Sequence, residues 1–517
     1  MPLPDGTRLA TRIWRPAEEG PHPVLMMRQP YGREIASTIT LAHPSWYAQR
    51  GYIVVVQDVR GTGGSEGDFD PFATESEDGA AAVAWARMLP GASGKIGLYG
   101  FSYQGMTQHL ALAGGARVDA IAPIMSAWDL WDHFVAEGGA FRLDWNVGWA
   151  MQLGANAARR AGDGESFADF VRSTERGIGD ARPALPDIAL ARREATHLAD
   201  WVEAIGDREY WAARSPSRLI SDNSDALTTP ALHVGGWFDT FLEGTIAAHA
   251  AFAAAGAPAR LVIGPWAHSP WQGGELSVDM LVADWFDRLL AGTPRGADNA
   301  SEMRLWDLTR KEWRHLDSWP ETSLPFWLTG DGLAAAFSNG LLLRSPDHAD
   351  GIETFVHDPW RPVPARGHHL TAPYGMAERS DLDARADVAV FTSQPQTEPV
   401  RLTGAGRLEL HVESDAPSFD LHAVLSIVDP AGSARTLTVG HQRCARPVGR
   451  QEIRLRPVCA TIERGMRLRL SLSGAAWPAF AVNPGTGALP ETTAGHLRRP
   501  ITISISTPAK LDLGVSR

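Results

Sequence analysis

Four short apolar runs open the chain: "VLMM" (24–27), "YIVVVQ" (52–57), "KIGLYG" (95–100) and "AIAPIM" (120–125). They are nearly continuous rather than alternating, the pattern of strands covered on both faces. Between the second and third, residues 75–89 have helical composition, with acids early and Arg87 late, as the helix dipole favours. Residues 1–125 therefore predict the first part of a mostly parallel, helix-covered sheet. From 126 to 228 the strand-like runs disappear and Trp, Ala, Arg and Glu dominate, which predicts an inserted helical cap. The strand pattern returns in "PALHVGG" (230–236) and "ARLVIGP" (259–265), so residues 229–320 complete the sheet. An insertion at that point lies over the strand ends, where open α/β sheets bind ligands. After about residue 320 the texture becomes alternating, as in "RLELHVES" and "RLRLSLSG", with turn signals between. Residues 321–517 predict an antiparallel jelly-roll sandwich.

Bulk properties narrow the function classes. The chain has 517 residues, too many for one core, and 60 acidic against 48 basic residues give a net charge of −12. That balance argues against nucleic acid or an anionic membrane surface. No apolar run of membrane-spanning length and no signal-type N-terminus is visible, so a cytoplasmic protein is the expectation. The two cysteines, Cys444 and Cys459, read as buried small hydrophobes, with one bridge between them left open. Nineteen tryptophans is high for this length, and several fall between residues 128 and 149, where an aromatic cavity or interface is expected.

The chemistry concentrates in "GLYGFSYQG". Gly100, Ser102 and Gly105 form a G-x-S-x-x-G, one residue longer than the strict nucleophile elbow, between a strand and a helix-like run. In that context the serine takes a strained backbone, and the glycines remove Cβ atoms that would clash. Partners should follow in the order acid, then histidine. Asp239 stands just past one strand in "GGWFDTF", and His268 just past the next in "GPWAHS". His268 would take the serine proton, with Asp239 fixing its tautomer. His109 and His233 fall inside regular elements and read as structural. In "QDVRGTGGSEG", Asp58 and Arg60 read as a buried pair and the glycines as turn residues, because the P-loop lysine is missing. His368 and His369 in "GHHL" sit in a loop without acidic neighbours, so no metal or other cofactor is expected.

The ordered motifs "PDGTRLATRIWRP", "RQPYGR", "VVVQDVRGTGGSEG", "GLYGFSYQG", "GGWFDTF", "GPWAHS" and "KEWRHLDSWP" resemble the CocE/NonD hydrolases over nearly the whole chain. That group holds cocaine esterases, α-amino-acid ester hydrolases and X-Pro dipeptidyl-peptidases of the S15 type. The resemblance implies an α/β-hydrolase domain, a helical cap and a C-terminal jelly roll. It also implies an oxyanion hole made by the Tyr31 hydroxyl and the backbone N–H of Tyr103. Pro30 has no N–H to give, and a phenol is a competent donor. Phe134, Trp149 and Phe241 match pocket aromatics of the family.

One departure bears on substrate. In α-amino-acid ester hydrolases a Glu-Asp pair follows the triad aspartate at two and three positions and binds the substrate ammonium. Phe241 and Leu242 stand there here. Glu137 and Asp144 in the cap remain as candidates to meet an amine. The leading reading is a serine hydrolase of carboxylic esters or amides, with a small-molecule partner and a homodimer left open. The alternatives are an X-Pro exopeptidase, and an inactive hydrolase scaffold whose jelly roll binds a carbohydrate or a protein.

Overall fold

The protein is described by a computed structural model covering residues 1–34, 40–176, 197–269, 271, 273–292, 303–346, 350–491, 493 and 495–516. The expected cap residues 177–196 lie outside the described residues.

The N-terminal half is built on one mixed sheet. Its strands are β1 (Thr11–Trp14), β2 (His22–Gln29), β3 (Ile53–Asp58), β4 (Ala92–Phe101) and β5 (Ala120–Ile124). After the cap hairpin β6 (Ala136–Glu137) and β7 (Ala140–Phe141) come β8 (Ala231–Phe238), β9 (Ala259–Ala267), β10 (Met303–Asp307) and β11 (Glu312–Leu316). The order across the sheet is β1-β3-β2-β4-β5-β8-β9-β10-β11. Pairs from β3 to β10 are parallel and both edge pairs, β1–β3 and β10–β11, are antiparallel. β3, β5 and β8 are buried at every position, which is why they read as unbroken apolar runs.

β5 pairs directly with β8, Ile121 opposite Ala231, across the whole insertion. The insertion carries helices α3 (Leu143–Ala161), α4 (Gly164–Arg176) and α5 (His197–Glu203); before it run α1 (Glu75–Arg87) and α2 (Tyr103–Ala113), and after it α6 (Leu242–Ala254). The cap is not wholly helical. The β6–β7 hairpin turns at Gly138 and Gly139, both at positive φ, and a Cβ on Gly138 would lie 1.7 Å from the His441 carbonyl oxygen. Gly138 O also accepts the Arg443 N–H at 2.8 Å, so the hairpin tip docks on the C-terminal domain.

That domain is β-rich. It comprises β12 (Ser323–Thr329), β13 (Gly340–Leu343), β14 (Gly351–His357), β15 (Val388–Ser393), β16 (Val400–Ser414), β17 (Phe419–Val428), β18 (Ala434–Cys444), β19 (Val448–Ile462), β20 (Arg467–Ser473) and β21 (Ile501–Val515). The pairs are antiparallel except β13–β15, which is parallel. The sheet runs from β18 to β19 and curls until these end strands meet, with Thr438 Oγ1 donating to Arg456 O at 2.6 Å. Its alternating pattern follows from one buried face: in β21 the isoleucines and leucines are buried while Thr502, Ser504 and Lys510 are not. Cys444 and Cys459 are both buried and free.

Candidate active site

Ser102 sits between the end of β4 and the first residue of α2, at φ 61° and ψ −127°. A non-glycine residue there is strained, and the turn is held by Ser102 N–H to Ile124 O at 2.8 Å. The glycines of the motif now have separate reasons. Gly100 is at φ 139°, and a Cβ on it would lie 2.5 Å from Gln104 Cβ. A Cβ on Gly105 would lie 2.7 Å from Ser126 Cβ, so α2 could not pack this closely after β5.

His268 follows β9 and Asp239 follows β8, so neighbouring parallel strands deliver both to the rim where Ser102 stands. His268 Nε2 is 3.0 Å from Ser102 Oγ, and Nδ1 is 2.6 Å from Asp239 Oδ1. Asp239 is fully buried, and its Oδ2 accepts the Phe241 N–H at 2.9 Å. The imidazole is clamped by aromatic edges, with Trp145, Phe241 and Phe101 centroids at 5.0, 5.2 and 5.4 Å. A Cβ on Gly236 would lie 2.2 Å from Trp266 O, so this glycine permits the close approach of β8 and β9 just before the acid.

Tyr31 lines the same cavity. Burial pushes its phenol up to about 12, against the lowering effect of hydrogen bonds with Trp149 and Ser102, so it remains protonated at ordinary pH. Trp149 Nε1 donates to Tyr31 Oη at 3.1 Å and orients the ring. The Tyr31 loop is anchored from below: Tyr31 N–H donates to Gln29 Oε1 at 2.7 Å, and Gln29 Nε2 to Asp58 Oδ1 at 3.0 Å. Asp58 also receives Arg33 Nη1 at 2.6 Å and the Gly64 N–H at 3.0 Å. The expected Asp58–Arg60 pair is therefore corrected. Arg60 turns the other way, to Asp78 at 2.7 Å and Asp5 at 2.7 Å. The backbone carries Arg33 back over Asp58, a fold-back that spacing along one strand end does not reveal. Of the acids early in α1, Glu75 holds Arg28 at 2.6 Å and Asp78 holds Arg60 at 2.7 Å.

Tyr103 opens α2 directly after Ser102; the Gly105 and Met106 N–H groups bond Ser102 O at 2.9 and 3.1 Å, while the first N–H of a helix has no partner within it. The Tyr103 side chain is turned away, donating to Glu75 Oε1 at 3.0 Å and stacking on Phe72 at 4.7 Å.

Tyr31, Phe101, Ser102, Tyr103, Phe134, Trp145, Trp149, Gln152, His268 and Ser269 enclose a cavity of about 200 Å³. Phe134 and Trp149 are in its wall. Phe241 is not; it lies fully buried behind Phe134 and Trp145, at 5.2 and 5.3 Å. Trp145 and Gln152 were missed by reading the sequence. Their signal was the spacing 145, 149, 152, which puts all three on one face of α3.

The cap acids have other employment. Glu137 Oε2 accepts from Arg142 Nη2 at 2.9 Å and His369 Nε2 at 2.9 Å, with Arg456 Nη1 at 3.4 Å, and does not line the cavity. This corrects two expectations: Glu137 does not stand free for an amine, and the "GHHL" loop does have an acidic neighbour, supplied by the cap. Asp144 is also outside the cavity wall, and burial pushes its carboxyl up to about 6. His109 and His233 are fully buried, stacked at 6.0 Å.

Known proteins share this architecture. A family model for X-Pro dipeptidyl-peptidase of the S15 family matches residues 5–270, and one for the X-Pro dipeptidyl-peptidase C-terminal non-catalytic domain matches 295–506. Cocaine esterase of Rhodococcus sp. (strain MB1 Bresler) is 31% identical over 471 residues, covering 85% of this chain and 81% of that protein. A putative serine esterase of Mycobacterium bovis is 24% identical with the same coverage. Among solved structures, an α-amino acid ester hydrolase labelled with selenomethionine superposes with a TM-score of 0.80 at 21% identity, covering 100% of this chain and 95% of that one. An aminopeptidase from a marine sediment Thaumarchaeota archaeon gives 0.80 at 20% identity, covering 99% and 95%. Both support the fold: an α/β-hydrolase sheet domain followed by a β-rich domain. By the family model and the cocaine esterase match together, the chain belongs to the S15 family and is a hydrolase.

Proposed function

We propose that this protein is a serine esterase that cleaves carboxylic esters carrying a ring-sized apolar acyl group, through an acyl-enzyme on Ser102. The observation that carries the reading is the Asp239–His268–Ser102 chain, at 2.6 and 3.0 Å, opening onto an aromatic cavity with Tyr31 on its wall. Ser102 Oγ attacks the ester carbonyl while His268 Nε2 takes its proton. Asp239 holds Nδ1–H and stabilises the imidazolium. The oxyanion receives the Tyr31 hydroxyl and the Tyr103 backbone N–H. As the acyl–oxygen bond breaks, His268 returns the proton to the leaving alkoxide. A water deprotonated by His268 then attacks the acyl carbon, and as the acyl–Oγ bond breaks His268 returns that proton to Ser102 Oγ.

Cavity size sets the substrate class. About 200 Å³ falls below the ~300–1,000 Å³ usual for drug-sized ligands. One aromatic acyl group fills it, and the leaving group extends toward the opening. Phe134, Trp145 and Trp149 suit an aryl or bulky alkyl acyl group. An X-Pro dipeptide would need a carboxylate for its free ammonium, and among the described residues the cavity wall carries no Asp or Glu.

The test is a rate panel on purified protein: an aryl ester of benzoate, a short p-nitrophenyl acyl ester, an Ala-Pro anilide and an α-amino-acid ester, with Ser102→Ala as blank. Turnover of the first two alone is expected. Cleavage of the anilide at a comparable rate would replace this reading with the exopeptidase. Equal rates in Ser102→Ala would remove the serine mechanism altogether.

A further inference from the structure

The acid of the site is held from the far end of the chain. Arg456 lies on β19 of the C-terminal domain, 1% exposed, 217 residues after Asp239 in sequence. Its Nη2 donates to Asp239 O at 2.6 Å and to Thr240 O at 3.3 Å. Its Nη1 reaches Thr240 O at 3.4 Å and Glu137 Oε2 at 3.4 Å, and Glu243 Oε2 lies 4.0 Å away. Arg142, from the cap, adds its Nη1 to Thr240 O and Thr240 Oγ1, both at 3.0 Å.

These contacts fall where the main chain most needs them. Asp239 and Thr240 lie between the end of β8 and the start of α6, outside both ladders, yet both are buried. Buried carbonyls without strong partners are costly. Among the described residues, Asp239 O otherwise receives only the Leu242 N–H at 3.3 Å. A buried guanidinium also needs several acceptors, and here two of them are the main-chain oxygens of the acid's own turn. Among the described residues, Glu137 keeps Arg142 and His369 when Arg456 is removed, whereas Asp239 O keeps the long bond to Leu242 N–H alone.

We propose that Arg456 is a positioning residue for the esterase reaction: it fixes the Asp239–Thr240 backbone so that the Asp239 carboxylate meets His268 Nδ1. The inference rests on the serine-esterase reading above. On it, the domain that the family model describes as non-catalytic supplies part of the active-site framework, and docking of β19 is a condition for a working acid.

The experiment compares wild type, Arg456→Lys and Arg456→Met with Arg379→Met. Arg379 is another buried arginine of the same domain, 5% exposed, that binds Asp383 at 2.9 Å and, among the described residues, has no contact with the site. Steady-state kinetics on the best ester are read from pH 5.5 to 9, beside thermal melting. In Arg456→Met, kcat should fall about 10–100-fold, the scale of a displaced reacting group, with KM changed less than about threefold. The acid limb of kcat/KM should move to lower pH, because a loosened Asp239 stabilises the imidazolium less. Arg456→Lys keeps the charge and part of the donor set and should recover part of kcat. Arg379→Met should lower the melting temperature and leave kcat and the acid limb in place. A folded Arg456→Met with wild-type kcat and acid limb overturns the proposal, as does an equal loss of kcat in Arg379→Met. If Arg456→Met does not fold, Arg456→Lys decides by the same two readouts. Failure of the esterase reading would show separately, as wild-type turnover that Ser102→Ala retains.

Discussion

Lowering the pH should unfold this protein over a narrow range, because it buries neutral histidines. Burial holds His109 and His197 at about 3, and His133, His249 and His357 at about 4. The unfolded chain takes up protons on all five as pH falls through about 6.5, whereas the folded chain does so only near 4 or below. Stability is therefore present above 6.5 and lost as pH falls. Between pH 7.5 and 5.5 each such histidine removes about 1.4 kcal/mol, so five remove about 7 kcal/mol. Asp144 has the opposite sign: its carboxyl, pushed up to about 6, takes a proton in the folded state and returns about 1 kcal/mol over the same range. Burial raises the carboxyls of Glu75, Glu243 and Asp132 as well, and these act in the direction of Asp144; the five histidines and Asp144 alone leave a loss of about 6 kcal/mol, against a total of ~5–15 kcal/mol for a typical domain. His233, His368 and His422 are also lowered by burial and add to the loss. The assay is denaturant unfolding followed by tryptophan fluorescence at pH 7.5, 6.5 and 5.5. His109→Gln should reduce the pH 7.5-to-5.5 loss by about 1.4 kcal/mol, whatever it does to stability at pH 7.5. A loss under about 2 kcal/mol for the wild type would mean that these imidazoles are not held neutral by burial, and the reasoning would fail.

Other outcomes follow from single contacts. Tyr31→Phe removes one proposed oxyanion donor and should lower kcat about 10²–10³-fold with KM little changed; an unchanged kcat in steady-state assays moves the donor elsewhere. Trp149→Phe keeps the wall but removes the hydrogen bond to Tyr31 Oη; kcat should fall about 10-fold, the scale of one lost hydrogen bond, and a drop equal to that of Tyr31→Phe would show that the phenol has swung out of the site. Trp145→Ala opens the cavity and should raise KM for benzoate esters more than for acetate esters, read from the ratio of kcat/KM for the pair. Gly138→Ala forces a Cβ to 1.7 Å from His441 O at a φ of 54°; it should cost about 1–3 kcal/mol in backbone strain alone, read as a lower denaturation midpoint.

What the sequence made legible was whatever depends on neighbours along the chain. Ser102, Asp239 and His268 each follow directly on a strand, and order plus strand-end placement picks out in the sequence the three side chains that the structure brings within 2.6 and 3.0 Å of one another. The buried strands β3, β5 and β8 declare themselves by unbroken apolar runs, and the strands of the C-terminal sheet by alternation. The errors share a physical origin in long-range closure. Asp58 met Arg33 rather than Arg60 because the chain folds back over the end of β3, and nothing local encodes that return. Glu137 looked like a free cap acid because its partners, Arg142 excepted, come from the C-terminal domain. Gly138 has its reason equally far off, in the approach of a Cβ to 1.7 Å from the His441 carbonyl oxygen of the C-terminal domain. The same closure places Arg456 against the Asp239 turn. The proposed triad is set by local grammar, then, while the groups that hold it in register come from distant segments. A cap acid and a sandwich arginine that look idle in the sequence are where this enzyme ties its three parts to one site.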